Sequence, residues 1–220
     1  MSLLVCGECG EHLAPPAVDA PEPVLRCGAC GFRRTFRRLP LYCVSGPSGT
    51  GKSTVGLRLG EELGDRFVVL EQDVLWVAGL RDPADDHRVF RSTWLRMAAT
   101  IGQNGRPVVL CGTVAPPEFE RLPERGLFSS IHYAALTCEP EVLAARLRAR
   151  PAWREWDEAR IVEMLDYAAW IEKNAATLEP PMTLIDTTHA AVTSTTRQVA
   201  DWIEARAAST PRPPRDDLGR

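Results

Sequence analysis

The chain has little net charge: 26 Lys and Arg stand against 29 Asp and Glu, a formal −3. That balance excludes a global electrostatic pull toward nucleic acid or an anionic membrane surface, so either kind of binding would need a local basic patch. No apolar run approaches the ~18 residues that a membrane span requires. The segment MSLLVCGECG has no basic stretch and too short an apolar run for a secretory signal. A cytoplasmic setting and no membrane partner are the expectations. Internal repeats are missing as well. A disulfide framework is excluded by the cysteines: seven is an odd number, and Cys43, Cys111 and Cys138 lie in apolar, strand-like segments. What is there is the composition of a globular protein, 45% hydrophobic and 25% charged, with 220 residues for one ordinary domain plus something small.

The chain divides near residue 40. Residues 1–40 hold two C-x-x-C pairs, a Pro-rich spacer (APPAVDAPEP) and an Arg-rich end (FRRTFRRLP). Forty residues cannot bury a sufficient core, so a structural metal is the expected staple. From residue 41 strands and helices alternate. The strand segments are LYCVSG, FVVLEQD, PVVLCG, HYAALTC and MTLIDT. Helical periodicity covers residues 53–63, 86–103, 116–123, 140–150, 156–173 and 192–207, with a break around Pro151. Five strands alternating with helices predict an α/β domain over 41–206, a mostly parallel sheet covered on both faces. The polar, Pro-rich tail at 207–220 is expected to be disordered.

Between the first strand and the first helix runs Gly46-Pro-Ser-Gly-Thr-Gly-Lys-Ser53, a match to G-x-x-x-x-G-K-[ST] in the strand–loop–helix context that pattern needs. Its glycines let successive backbone N–H groups turn toward phosphate oxygens, and the helix start adds partial positive charge. Lys52 is placed to reach terminal phosphates and Ser53 to offer a hydroxyl to magnesium. The candidate nucleotide contacts are Gly46, Ser48, Gly49, Thr50, Gly51, Lys52, Ser53 and Thr54.

Residues 41–206 resemble the small P-loop kinases: nucleoside monophosphate kinases, shikimate and gluconate kinases and related phosphotransferases. GPSGTGKST carries the resemblance, with Asp73 after the second strand and an Arg-bearing segment late in the chain. It implies a P-loop NTPase three-layer sandwich with strand order 2-3-1-4-5, ATP and magnesium as cofactors, and a mobile lid. It implies for Asp73 a catalytic place beside the phosphate loop, as proton acceptor or as orienter of magnesium through water. Glu71 is the second acidic candidate on that strand. Many P-loop proteins carry an Asp at the end of the third strand, but this chain has Cys111 and Gly112 there, which increases the weight on Asp73. Arg146 and Arg150, four apart on one helix face, are the lid candidates for stabilising transferred charge, with Arg154 behind them. Arg88 and Arg91 suit an acceptor that already carries a phosphate or carboxylate, or are surface arginines. Trp76 either walls the acceptor pocket or anchors the core.

The cysteine pairs Cys6/Cys9 and Cys27/Cys30 leave residues 10–26 between them, inside the ~15–20 residues of four-cysteine zinc sites. A glycine follows each pair and permits a tight knuckle turn. The module resembles a zinc ribbon with a closed, structural site. Phe32 and Phe36 are expected to pack under it while Arg33 and Arg37 are solvated or dock on the larger domain.

The leading expectation is an ATP-dependent phosphotransferase acting on a small acceptor, a nucleoside or nucleotide among the candidates. Two others stay open: a nucleic-acid end kinase that uses the ribbon to hold RNA or DNA, and a non-kinase P-loop ATPase that docks a partner protein.

Overall fold

The computed structural model describes residues 3–13, 15–19 and 21–209. The tail lies outside the described residues from 210 onward. Three short strands, β1 (Ala17–Asp19), β2 (Val24–Arg26) and β3 (Arg33–Thr35), pair antiparallel in that order. On either side of β1 and β2, the two cysteine pairs fold into matching knuckles. Gly10 and Gly31 follow the second cysteine of each pair with φ of 75° and 76°. Their N–H groups donate to the carbonyls of Cys6 and Cys27, each at 3.0 Å. Glycine takes that left-handed turn without a Cβ penalty. This is the arrangement of a zinc ribbon.

The ribbon does not hang from a linker. Leu3, Leu25 and Phe36 belong to the same buried cluster as Leu41, Leu127 and Phe128 of the larger domain. Polar contacts reinforce that seam. The Arg37 N–H donates to Gln103 Oε1 at 2.9 Å, and Gln103 Nε2 donates back to the Arg37 carbonyl at 3.0 Å. Arg38 Nε donates to the Phe128 carbonyl at 3.1 Å. Of the two phenylalanines expected beneath the ribbon, Phe36 is buried while Phe32 stays 38% exposed. The period-2 reading fails at Phe32 because β3 starts only at Arg33, leaving Phe32 in the turn.

The larger domain carries a five-stranded parallel sheet: β4 (Leu41–Ser45), β5 (Val68–Glu71), β6 (Val108–Cys111), β7 (Ile131–Thr137) and β8 (Met182–Asp186). The spatial order is β5-β6-β4-β7-β8, which is 2-3-1-4-5 counted from β4, as the resemblance to small P-loop kinases implied. Six helices surround it: α1 (Lys52–Leu63), α2 (Arg88–Gly102), α3 (Pro116–Glu120), α4 (Pro140–Arg148), α5 (Glu158–Asn174) and α6 (Val192–Ser209). Residue alternation along β4 builds the three layers. Leu41 and Cys43 face a cluster with Phe90, Trp94 and Leu95 of α2. Tyr42 and Val44 face the opposite cluster with Val55 and Leu59 of α1 and Val199 and Ile203 of α6.

Several helix boundaries differ from their sequence periodicity, among them the end of α3 at Glu120 and the start of α5 at Glu158. Helix α2 begins at Arg88 because Asp86 and His87 take left-handed φ values of 46° and 53°. Helix α4 ends at Arg148, so Arg150 is not on it. Helix α6 extends to Ser209, absorbing residues 207–209 of the expected tail.

Because Phe36 lies in a core shared by ribbon and sheet, Phe36→Ala is expected to destabilise the whole protein by about 3 kcal/mol. Near-UV circular dichroism should show one cooperative melt at a lower midpoint. A separate, earlier ribbon transition would show that the two parts fold independently.

Candidate active site

The last residue of β4 is Ser45, and the chain then turns through Gly46–Gly51 into α1. Gly46 sits at φ 131° against β7: a Cβ there would lie 2.4 Å from the Leu136 carbonyl oxygen, a backbone atom that cannot move aside. The loop is held from inside. Thr50 Oγ1 donates to the Pro47 carbonyl at 2.9 Å. Lys52 Nζ folds back to donate to the Gly46 and Pro47 carbonyls at 2.7 and 3.0 Å. Helix α1 has no side-chain cap and no acidic residue in its first turn, so the positive end of the helix faces the loop uncompensated. Burial lowers the Lys52 pKa to about 8, against the opposing field of Asp73.

Ser53 is hydrogen-bonded to Glu71 Oε1, whereas Asp73 was the residue given most weight from sequence. The sheet register explains the difference. Glu71 is paired with Cys111 across β5 and β6, so its carboxylate lies one strand over from the end of β6, where this chain has no acidic residue. The expectation that Glu71 and Asp73 share a strand face is not met, since β5 ends at Glu71 and Asp73 lies in a 3-10 turn over Gln72–Leu75. That turn is pinned from two sides. Trp94 Nε1 donates to the Gln72 carbonyl at 3.2 Å. The Gln72 side chain fills the space over Gly112, where a Cβ would lie 2.0 Å from Gln72 Oε1. Asp73 is exposed at the mouth, and its field acts on both Lys52 and Arg150. Cys111 is buried against Gly56, and burial first, then Glu71, pushes its thiol up to about 12, which removes it as a nucleophile.

The two lid candidates separate. Arg146 is committed to the β8–α6 connection, donating to the carbonyls of Thr187 and Thr188 at 2.8 and 2.9 Å and to Cys138 Sγ at 3.4 Å. Arg150 lies beyond α4, 5.4 Å from the Trp156 ring centroid. Burial, and then neighbouring Arg154, lowers its pKa, while Asp73 opposes them. The structure therefore brings Lys52, Asp73 and Arg150 together and leaves Arg146 apart. Arg148 and Glu158 tie together the two ends of the segment between α4 and α5 with paired hydrogen bonds of 2.8 and 2.7 Å.

On the far side of the cleft, Arg88 pairs with Asp85 on the surface at 2.8 Å. Arg91 is largely buried and hydrogen-bonds Glu118 of α3. Trp76 is 41% exposed, not a fully buried core anchor, and packs edge-on against Phe90 and His87. The sequence reading missed Glu118 and Tyr167. Glu118 lies in the short helix α3 soon after β6 and Tyr167 in α5, well beyond β7, and neither belongs to a motif. Burial first, and then the Glu118 carboxylate, raises the pKa of the Tyr167 phenol.

The Gly46 contact sets a test. Gly46→Ala should weaken ATP binding at least about tenfold, as the loop would have to leave the Leu136 carbonyl and lose its amide cradle. Titration with a fluorescent nucleotide measures it; unchanged affinity would mean that the loop geometry is not the phosphate site.

Known proteins place this geometry. A family model described as an AAA domain matches residues 43–164, more than half of the chain. The shikimate kinase of Chlorobaculum tepidum is 35% identical over 144 residues, covering 57% of this chain and 73% of that protein. A gluconokinase structure from Sinorhizobium meliloti 1021 superposes with a TM-score of 0.55 at 20% identity, covering 79% of this chain and 97% of the other. The YorR protein of Bacillus subtilis, solved with phosphorylated GDP, gives 0.52 at 16% identity over 76% of this chain and 98% of its own. The structural likenesses speak for the fold. The phosphate loop and the shikimate kinase relative set aside the non-kinase ATPase reading: the chain belongs to the AAA-domain P-loop family and is a small ATP-dependent P-loop kinase.

Proposed function

We propose that this kinase moves the γ-phosphoryl group of ATP to a hydroxyl of a small, hydroxyl-bearing acceptor bound between the phosphate loop and the N-terminus of α2. The observation that carries the reading is the convergence of Lys52, Asp73 and Arg150 at the C-terminal edge of the sheet, where ligands of open α/β sheets bind. The amides of Gly46–Thr54 hold the phosphates, with Lys52 leaving its two loop carbonyls to reach the terminal oxygens. Asp73 accepts the proton of the acceptor hydroxyl as its oxygen bonds to the γ-phosphorus and the bond to the β–γ bridging oxygen breaks, releasing ADP. Arg150 sits where its planar fork can take charge on the transferring oxygens. In this reading Arg146 is a brace for Thr187 and Thr188, not a transfer residue.

Magnesium fits the pair Ser53–Glu71, a hydroxyl beside a carboxylate, both hard oxygen donors. When bound there it would screen the phosphate charges. Zinc fits the ribbon. The Sγ atoms of Cys6, Cys9, Cys27 and Cys30 all lie within 4.8 Å of one another, with Cys6–Cys30 and Cys9–Cys27 at 3.7 Å. A tetrahedron with Zn–S of ~2.3 Å has edges of about 3.8 Å. The site has no open position and so belongs to structure rather than catalysis.

The nucleic-acid alternative loses support from the placement of the ribbon arginines. Arg26 and Arg33 pair with Asp19 at 3.4 and 3.3 Å, while Arg37 and Arg38 are docked on the larger domain.

Three measurements test the proposal. Asp73→Asn should lower kcat by at least about a hundredfold while changing ATP affinity less than about threefold; full activity would remove Asp73 from the mechanism. Glu71→Gln should raise the magnesium concentration needed for half-maximal rate by about tenfold, an effect Asp73→Asn should not share. Metal analysis of the purified protein should find about one zinc per chain, lost when Cys9 and Cys30 are replaced by Ser.

A further inference from the structure

The acceptor side of the cleft holds an arginine that looks, by type and position, suited to an anionic substrate. Arg91 lies one helical turn before Trp94, which is tied to the Gln72 carbonyl at 3.2 Å, so it stands beside the turn that carries Asp73. Its guanidinium is already occupied. Nη2 is hydrogen-bonded to Glu118 Oε1. Nη1 lies 2.6 Å from Asp86 Oδ2 and also hydrogen-bonds the Asp86 carbonyl. Only 12% of the Arg91 side chain is exposed. Glu118 has no spare oxygen, because Oε2 accepts the N–H of Ala115. The neighbouring arginines are engaged too: Arg88 pairs with Asp85 and Arg81 stacks over Trp76, 5.6 Å from its centroid.

From this geometry we infer that the acceptor is an uncharged polyhydroxylated molecule, and that Glu118 and Asp86 are the residues that set this preference by neutralising Arg91 from within. The inference rests on the transfer reading above and deepens it. A carboxylate or phosphate arriving here would have to displace Glu118, stranding a mostly buried carboxylate, and would meet Asp73 and Asp86 as like charges. Hydroxyl groups face neither difficulty. Asp73 and the exposed Asp86 carboxylate accept hydrogen bonds from them, and Trp76 keeps part of its apolar ring exposed for the carbon skeleton. Chain geometry supports the arrangement, since Asp86 and His87 hold consecutive left-handed conformations that bring the Asp86 carbonyl and carboxylate together onto Arg91. The hydroxy-acid names of the shikimate kinase and gluconokinase relatives would lead to the opposite expectation.

The test uses the full-length protein with magnesium ATP and acceptors matched except for charge: glucose, gluconate and glucose 6-phosphate, and adenosine with AMP. ADP release and product mass are read for each. We expect kcat/KM for the neutral member of a series to exceed that of its anionic counterparts by at least about tenfold. Glu118→Gln keeps the acceptor oxygen for Ala115 N–H but frees the Arg91 charge, and should shift the anionic-to-neutral ratio upward by about tenfold. Asp86→Asn, at an exposed side chain, should shift it the same way and serves if the Glu118 variant does not fold. Preference for gluconate or a phosphorylated member by the unaltered protein, lost in Arg91→Gln, would overturn the inference while leaving the kinase reading intact. A folded, ATP-binding protein that phosphorylates neither class would remove both.

Discussion

The structure depends on the close approach of the phosphate loop to β7, where Gly46 lies against the Leu136 carbonyl with no room for a β-carbon. That contact lets the loop curl back over the strand ends instead of running straight into α1. Everything else in the cleft is arranged around the result. Lys52 can fold back to the loop carbonyls, Ser53 emerges facing β5, and Thr113 Oγ1 reaches the Gly46 carbonyl at 3.4 Å. An uncapped helix start and a buried ammonium leave the loop electropositive, which is the field that a chain of phosphates needs and water alone does not provide.

Against that fixed positive element the acidic residues divide the work by sheet geometry. Glu71, at the last rung of β5, meets Ser53; Asp73, two residues on and past the end of the strand, meets Lys52 and Arg150 through its field. The register partner of Cys111 is thus the carboxylate that meets Ser53. The ribbon solves a different problem. Too small to hold a core, it borrows one, placing Leu25 and Phe36 in the cluster beneath α2. Its arginines end as docking and ion-pairing groups, a consequence of lying at the seam and beside Asp19.

The strand and helix segments and the phosphate loop were legible because each rests on local chemistry: alternation and runs of apolar residues, glycines at fixed spacing, a lysine and a serine at a helix start; the strand order came only from the resemblance to small P-loop kinases. The cysteine knuckles were legible for the same reason. Side-chain partners were not. The i,i+4 relation of Arg146 and Arg150 suggested one shared face, but α4 stops at Arg148, and the two guanidinium groups point to different loops. Arg91 read as a free cation because Glu118 is 27 positions away in the chain, and no pattern in either segment announces the pair.

By itself, then, the sequence determined that this protein has a phosphate-binding loop on a parallel α/β sheet with a four-cysteine module ahead of it, since backbone conformation and metal spacing are written in neighbouring residues. Only the tertiary structure decided which carboxylate meets Ser53, which arginine lies near Lys52 and Asp73, and whether Arg91 stands free or is already paired. Those outcomes depend on strand register and helix ends, which bring together groups from β5, α2, α3 and α5 that share no local pattern.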